Sequence, residues 1–408
     1  LKRGELIKPP TIHAAPVNAP RLDTPTRHTR IIVFCRVVDY FGDAGFCWRL
    51  CGALRAQGAA RVTLVIDRVN VLNELRGTQQ WPGVTVLPWD SAQAQWESEG
   101  VPAEHRADLL IEAFACHPPA VYIQALSPAA RWLTLDYLAT EPWADAVNGQ
   151  LSPVPRLTSE IASTRRWVVP GFSAGSAGLL HGQWRHISGD ERNAWRHRLV
   201  GRAVSDQTLL VMAFGYGDAP WPALQRLMAK ELPPGFQAVH FWTPKGIEYS
   251  QAEFDQILQA CDFNFVRGED SFIRAHWAAA GPWQVPFVWQ PYRQEEQAHR
   301  HKLAGWMHQV IRHPALQALE AFHWAWNGLR PSEPHQGTDS EAAQGAAADL
   351  AALHHAWRSL ALDWAAVKAH LQQACLAVAV RPSLEEHLLK VAASLTAPPA
   401  PRVPRARS

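Results

Sequence analysis

Asp39 and Asp43 stand four residues apart in VVDYFGDAGF, and a second acidic pair, Glu269 and Asp270, follows Arg267 in VRGEDSFIR. Carboxylates placed this way can take a proton from a nucleophile, orient a cationic group or accept from sugar hydroxyls. An arginine beside a helix start suits a phosphate. Asp is also a common helix cap and turn residue, so one acid alone carries little. Two acids separated by an aromatic pair and a glycine are more than capping requires, and both roles stay open for them.

The elements that must hold these groups can be read around each pair. Ile31–Val38 is β-branched and nearly continuous, as in a strand buried on both faces of a parallel sheet, and it ends at Asp39. Gly42 and Gly45 bracket Asp43 in what reads as a tight loop, and from Phe46 the apolar residues Phe46, Leu50, Cys51 and Leu54 recur at helical spacing. That junction is the carboxyl end of a strand, where ligands collect in open α/β sheets. In the second group a strand ends at Val266 and a helix begins near Glu269. The unpaired first amides of that helix, with Arg267 beside them, suit a diphosphate. Glu269 and Asp270 suit ribose or sugar hydroxyls, or cap the helix together with Ser271. Phe214 and Tyr216 in AFGYGD, Phe254 in QAEF and Tyr292 in VPFVWQPYRQEEQAH could wall a base or a deoxysugar, although each type is common in cores.

The chain has 408 residues, enough for two domains of ordinary size, and 47% of them are hydrophobic, without the eighteen or so uninterrupted apolar residues of a membrane span. A net charge of +2 provides no basic field for nucleic acid. The 6 cysteines form no CxxC pair, which fits a reducing cytoplasm, and the 19 histidines lack companion ligands at metal-binding spacing. Neither a metal nor a membrane is expected. Short apolar strands at Arg61–Ile66, Gly83–Leu87, Ala107–Ile111, Arg131–Leu135 and Trp167–Val169 imply a parallel sheet. A second alternation of strands and helices starts at Thr208–Phe214. The passage between the two halves is placed at Ser152–Arg156 and Pro170–Gly178, a flexible insertion at Ser332–Ala348, and helices at Leu350–Ala379 and Ser383–Leu395. Two sheets facing across a cleft are the GT-B arrangement of nucleotide-sugar glycosyltransferases.

Several stretches carry a resemblance. FCRVVDYFGDAGFCWRL, IEAFACHPP, WLTLDYL, VVPGF, AGLL, RGEDSFIRA and PFVWQPYRQEEQAH occur in consistent order over about residues 31–310, and together they resemble the EarP family of protein-arginine rhamnosyltransferases. The resemblance implies a GT-B-like α/β fold of two Rossmann-like, doubly wound domains facing across a cleft, with C-terminal helices. It implies an inverting transfer of L-rhamnose from dTDP-β-L-rhamnose to an arginine of elongation factor P, with no cofactor. Asp43 then matches the family's general base, Asp39 its partner acid and Glu269 a third required acid. Arg267 should meet the diphosphate, and Phe214, Tyr216, Gln251, Phe254, Asp270, Ser271 and Tyr292 fall on donor-pocket positions. On this reading residues 1–30 are a disordered extension, and 31–180 form the acceptor-side domain with the Asp pair. Residues 181–380 form the donor-side domain with the insertion near 332–348, and 381–408 a terminal helix and disordered tail. The competing readings are a GT-B transferase or epimerase using another nucleotide sugar, and a non-catalytic sugar- or protein-binding module whose many tryptophans form the recognition surface.

Overall fold

A computed structural model describes residues 29–127, 129–154, 164–201, 204–217, 219–245, 249–293, 298–329 and 350–394. The expected terminal tails, apart from the residues next to the body, and the expected insertion at 332–348 lie outside them.

The near-continuous apolar run forms a central strand, but it ends at Cys35, three residues short of the Val38 end read from the sequence. β1 (Arg30–Cys35) is flanked by β2 (Arg61–Ile66) and β4 (Leu109–Ala113), with Ile31 opposite both Val62 and Leu109. Ile31 through Cys35 are at most 2% exposed, each large apolar side chain contributing about 1.5–3 kcal/mol by its burial. β3 (Val84–Pro88), β5 (Arg131–Leu135), β6 (Leu151–Pro153) and β7 (Thr164–Val168) complete a sheet of order β3-β2-β1-β4-β5-β7-β6, parallel except where β6 meets β7. Because β6 pairs at the sheet edge, Ser152 and Pro153 belong to the first domain; they are not part of the passage out of it. Helix Tyr40–Ala56 and the C-terminal helix Leu384–Ser394 cover one face of the sheet, and Trp89, Trp96 and Tyr122 fill the other. The last helix therefore returns to the first domain, through Leu384, Leu388 and Leu389.

The second sheet contains β8 (Thr208–Ala213), β9 (Ala238–Trp242), β10 (Phe263–Arg267) and β11 (Phe287–Gln290), all parallel, in the order β11-β10-β8-β9. Its core is aromatic: Trp289 stacks on Phe272 at 3.7 Å, and the Trp306 indole donates to buried His276 at 2.8 Å. Trp48, Trp89, Trp96, Trp289, Trp306 and Trp357 are all among the fully buried side chains. These tryptophans supply core, which counts against a binding-module reading that needed the tryptophans on the surface, although Trp143 is exposed. In both sheets strand order reverses beside the first strand of the unit, at β1/β4 and at β8/β10. The crevices at those switch points face each other, the GT-B-like arrangement.

Candidate active site

Helix Tyr40–Ala56 begins directly after Asp39, so Gly42, Asp43 and Gly45 lie inside it, whereas the sequence reading put them in a loop. The glycines serve close approach. A Cβ on Gly42 would stand 2.5 Å from Asp39 Oδ2, and one on Gly45 would stand 2.7 Å from the Gln251 amide nitrogen of the other domain. Asp39 occupies the cap position but makes no side-chain cap bond. It is Asp43 that ties the turn, its Oδ2 accepting the Val38 and Asp39 amides at 2.8 Å each. Both bonds fall on one oxygen, and Asp43 is only 2% exposed. Burial raises its pKa from the ordinary value against the lowering effect of the two amides, and the charges of Asp39 and Glu269 add to the rise.

The opposite wall is the start of helix Asp270–Ala280. Glu269 Oε2 accepts the Leu138 amide of the first domain at 2.9 Å, and its other oxygen pairs with Lys302. Asp270 pairs with Arg49 at 3.1 Å. Each acid at this helix start thus has its own cation. Neither Glu269 nor Ser271 makes the expected cap: the Glu269 side chain forms no cap bond and the Ser271 hydroxyl donates to the Arg267 carbonyl. The Arg267 guanidinium lies over Phe214 at 4.6 Å and Tyr216 at 4.9 Å and donates to the Gly215 carbonyl. Phe254 packs edge-on to Phe214, and Tyr292 edge-on to Tyr216. Gln251 is buried and its side-chain oxygen has no partner.

Between these walls is a pocket of about 410 Å³, within the size range of ligand sites. Asp39, Asp43, Glu269, Asp270 and Tyr292 line it, while Phe214, Tyr216, Gln251, Phe254, Arg267 and Ser271 sit beside it in the second domain. The structure adds Phe114, Asp136, Tyr137 and Lys302, which sequence reasoning missed. Asp136 follows β5 as Asp39 follows β1, so the same strand-end acid signal was present in WLTLDYL. Tyr137 stacks on Phe114 at 4.2 Å and 11°. Phe114, Ala115 and His117 all have positive φ, a costly conformation for residues with a Cβ. Fully buried Glu112 secures the segment: its Oε1 accepts the His117 amide, and Oε2 accepts from Trp132, Thr134 and Arg165. The IEAFACHPP stretch is thereby a strained loop that delivers an aromatic ring to the cleft. Burial, with the nearby Asp43 and Glu269 charges, drives the Tyr137 phenol far upward, so it keeps its proton.

Five carboxylates, one lysine and a stacked aromatic pair line the pocket. Such a lining suits a planar cation, through charge and ring-face contact.

The family model described as elongation factor P (EF-P) rhamnosyltransferase EarP matches residues 31–249 and 247–393. The chain belongs to the EarP family. It is 30% identical over 345 residues to a protein-arginine rhamnosyltransferase of Pseudomonas putida, covering 72% of this chain and 86% of that protein. A protein-arginine rhamnosyltransferase of Pseudomonas aeruginosa is 29% identical over 349 residues, with the same coverage. Among solved structures, one described as the structural basis for EarP-mediated arginine glycosylation of translation elongation factor EF-P aligns with a TM-score of 0.49 at 18% identity, over 89% of this chain and 98% of that one. Spinosyn rhamnosyltransferase SpnG aligns with a TM-score of 0.48 at 13% identity, over 90% of this chain and 99% of that one. As an EarP family member the chain is a glycosyltransferase, and the acid-lined cleft is its candidate reaction site.

Proposed function

We propose that this glycosyltransferase moves L-rhamnose from dTDP-β-L-rhamnose to an arginine side chain of elongation factor P, with inversion at the anomeric carbon. The observation that carries this reading is the division of charge across the cleft. On the first-domain side, Asp39, Asp43, Asp136 and the Phe114–Tyr137 stack suit a guanidinium. On the other side, the amides that open helix Asp270–Ala280 suit a diphosphate, because Lys302 and Arg49 neutralise the two acids that would repel it. Arg267 adds a fixed cation, and the unpartnered Gln251 oxygen and the surrounding rings suit a nucleoside.

A guanidinium has a pKa above about 12 and delocalised lone pairs, which makes it a poor nucleophile. In this reading Asp39 orients it, and Asp43 accepts its proton as the N–C bond forms and the anomeric C–O bond to the diphosphate breaks. A raised pKa makes Asp43 the stronger base; one of its oxygens holds the turn, and the carboxylate also accepts a hydrogen bond from the Tyr137 phenol. Glu269 accepts the Leu138 amide across the cleft while pairing with Lys302 of its own domain, so its part is to join the walls. Arg267 and the helix amides take the charge of the leaving diphosphate.

The test is a calorimetric titration with dTDP and with UDP, followed by transfer to purified elongation factor P read by mass spectrometry. Preferential dTDP binding and one added deoxyhexose on an arginine are expected. Equal or stronger UDP binding, or no transfer from dTDP-rhamnose, would overturn the assignment.

A further inference from the structure

Behind the pocket is a buried charge cluster whose arginines reach beyond the pairing with Asp270. Arg49, six residues beyond Asp43 on the first-domain helix, is 8% exposed and forks onto Asp255 of the second domain at 2.9 and 3.0 Å. Its Nε reaches Asp270 at 3.1 Å, and it donates to the Gln251 carbonyl. Arg274, 1% exposed, forks onto the same Asp255 at 3.0 and 2.7 Å. Asp255 thus accepts four N–H bonds, two from each side of the domain boundary. Arg274 also donates to the His181 carbonyl at 2.6 Å, and Glu385 accepts the His181 and Gly182 amides from the opposite side.

His181 belongs to the place where the chain changes domain. The outward crossing follows Val169 and the return precedes Leu384, and the two lie side by side. The Leu384 amide bonds the Leu179 carbonyl at 2.9 Å, and a Cβ on Gly178 would collide with the Pro382 carbonyl. Gly178 and Gly182 have φ of +78° and +63°, values that L side chains rarely adopt. A paired crossing with two such glycines is a hinge in form, and the arginine cluster lies between this hinge and the pocket. The helices it joins are those that carry Asp43 and, at its first turn, Glu269 and Asp270.

We propose that Arg49 is a positioning residue: by forking onto Asp255 and reaching Asp270 it fixes the closed separation of the two walls, and so the distance from the base to the anomeric carbon. The planar fork is the operative feature, since a lysine offers the same charge but cannot make parallel bonds to one carboxylate. The inference rests on the reading of the cleft given above.

Because the described cysteines are all buried, cysteines introduced at exposed Gln95 and Gln225 can be spin-labelled selectively on opposite domains. In Arg49→Lys the interdomain distance distribution should broaden toward longer values. Single-turnover transfer at saturating donor should fall on the order of 10- to 100-fold, as expected for misplacement by about 1 Å. Asp255→Asn, which keeps shape while weakening the hub, should change the distances in the same direction and serves if Arg49→Lys folds poorly. Wild-type distances in the folded variants overturn the proposal, as does a loss of transfer that merely tracks the folded fraction. A broadened distribution in a protein whose wild type transfers no rhamnose would sustain the hinge and sink the assigned reaction instead.

Discussion

Replacing Asp43 by Asn separates its two roles. The Asp43 carboxylate holds the turn through one oxygen and, in the proposed reaction, takes a proton through the other. An Asn side-chain oxygen can still accept the Val38 and Asp39 amides, so the turn should survive. The sign of the stability change follows from the raised pKa. A buried acid whose folded pKa lies above its unfolded value loses stability as pH rises through that interval. Asp43→Asn removes that cost, so its melting temperature at pH 7 should equal or exceed that of wild type. Asp43→Ala instead strips both amides of their acceptor and should cost about 1–3 kcal/mol. Transfer should fall by about 10²–10⁴ in Asp43→Asn, the usual loss when a general base is removed. Single-turnover transfer to the protein acceptor, thermal melting and dTDP calorimetry on the same preparation provide the measurement and its controls. Near-wild-type transfer would refute the assignment and move the base to Asp39 or Asp136; a large fall in melting temperature would refute the claim that the turn tolerates the amide.

Glu385, buried under the crossing, has its pKa raised from 4.5 to about 7 by burial, so stability should decline between those pH values and lie about 3 kcal/mol lower above them; Glu385→Gln should flatten the profile measured by denaturant titration. Lys302→Met leaves Glu269 without its cation beside Asp43 and Asp136, so the acidic limb of the pH–rate profile should move to higher pH, and an unmoved limb would contradict the charge coupling. Arg267→Ala should weaken dTDP binding about 10- to 100-fold, the worth of a charge-assisted hydrogen bond, and unchanged calorimetric affinity would remove the diphosphate role from this residue.

The parallel cores were legible in the sequence because a strand buried on both faces must be apolar throughout, as Ile31–Cys35 and Leu209–Ala213 are. The acids at strand ends were legible because they stand out just past an apolar run, although Glu112 inside β4 shows that a buried strand can carry an acid when its partners satisfy it. What could not be read there depends on pairs distant in sequence. Gly42 and Gly45 looked like loop formers, yet what they leave room for is Asp39 and a glutamine from the other domain. Tyr137 reaches the cleft through its stack on Phe114, whose left-handed backbone is held by Glu112. Lys302 and Arg49 look like ordinary residues of a solvated helix until their carboxylates arrive from elsewhere in the chain.

The same long-range pairs decide how an acidic pocket can accept a doubly charged donor. Acids concentrated at one site repel each other and repel phosphate, and the Asp43 pKa, raised chiefly by burial, is raised further by the charges of Asp39 and Glu269. The structure separates the acids by pairing. Glu269 and Asp270, nearest the helix start that suits a diphosphate, are each bound to a cation from another element. Asp39 and Asp43, on the first-domain side, have no cation partner among the described ion pairs. The field is therefore negative where a guanidinium would sit and close to neutral where a phosphate would. An incoming arginine would complete the pairing, lowering the Asp43 pKa as it binds and returning it toward a protonated state once the proton has moved. In the proposed reaction the acceptor would thus belong to the charge balance of the cleft, and a neutral isostere of arginine would leave that balance unmade.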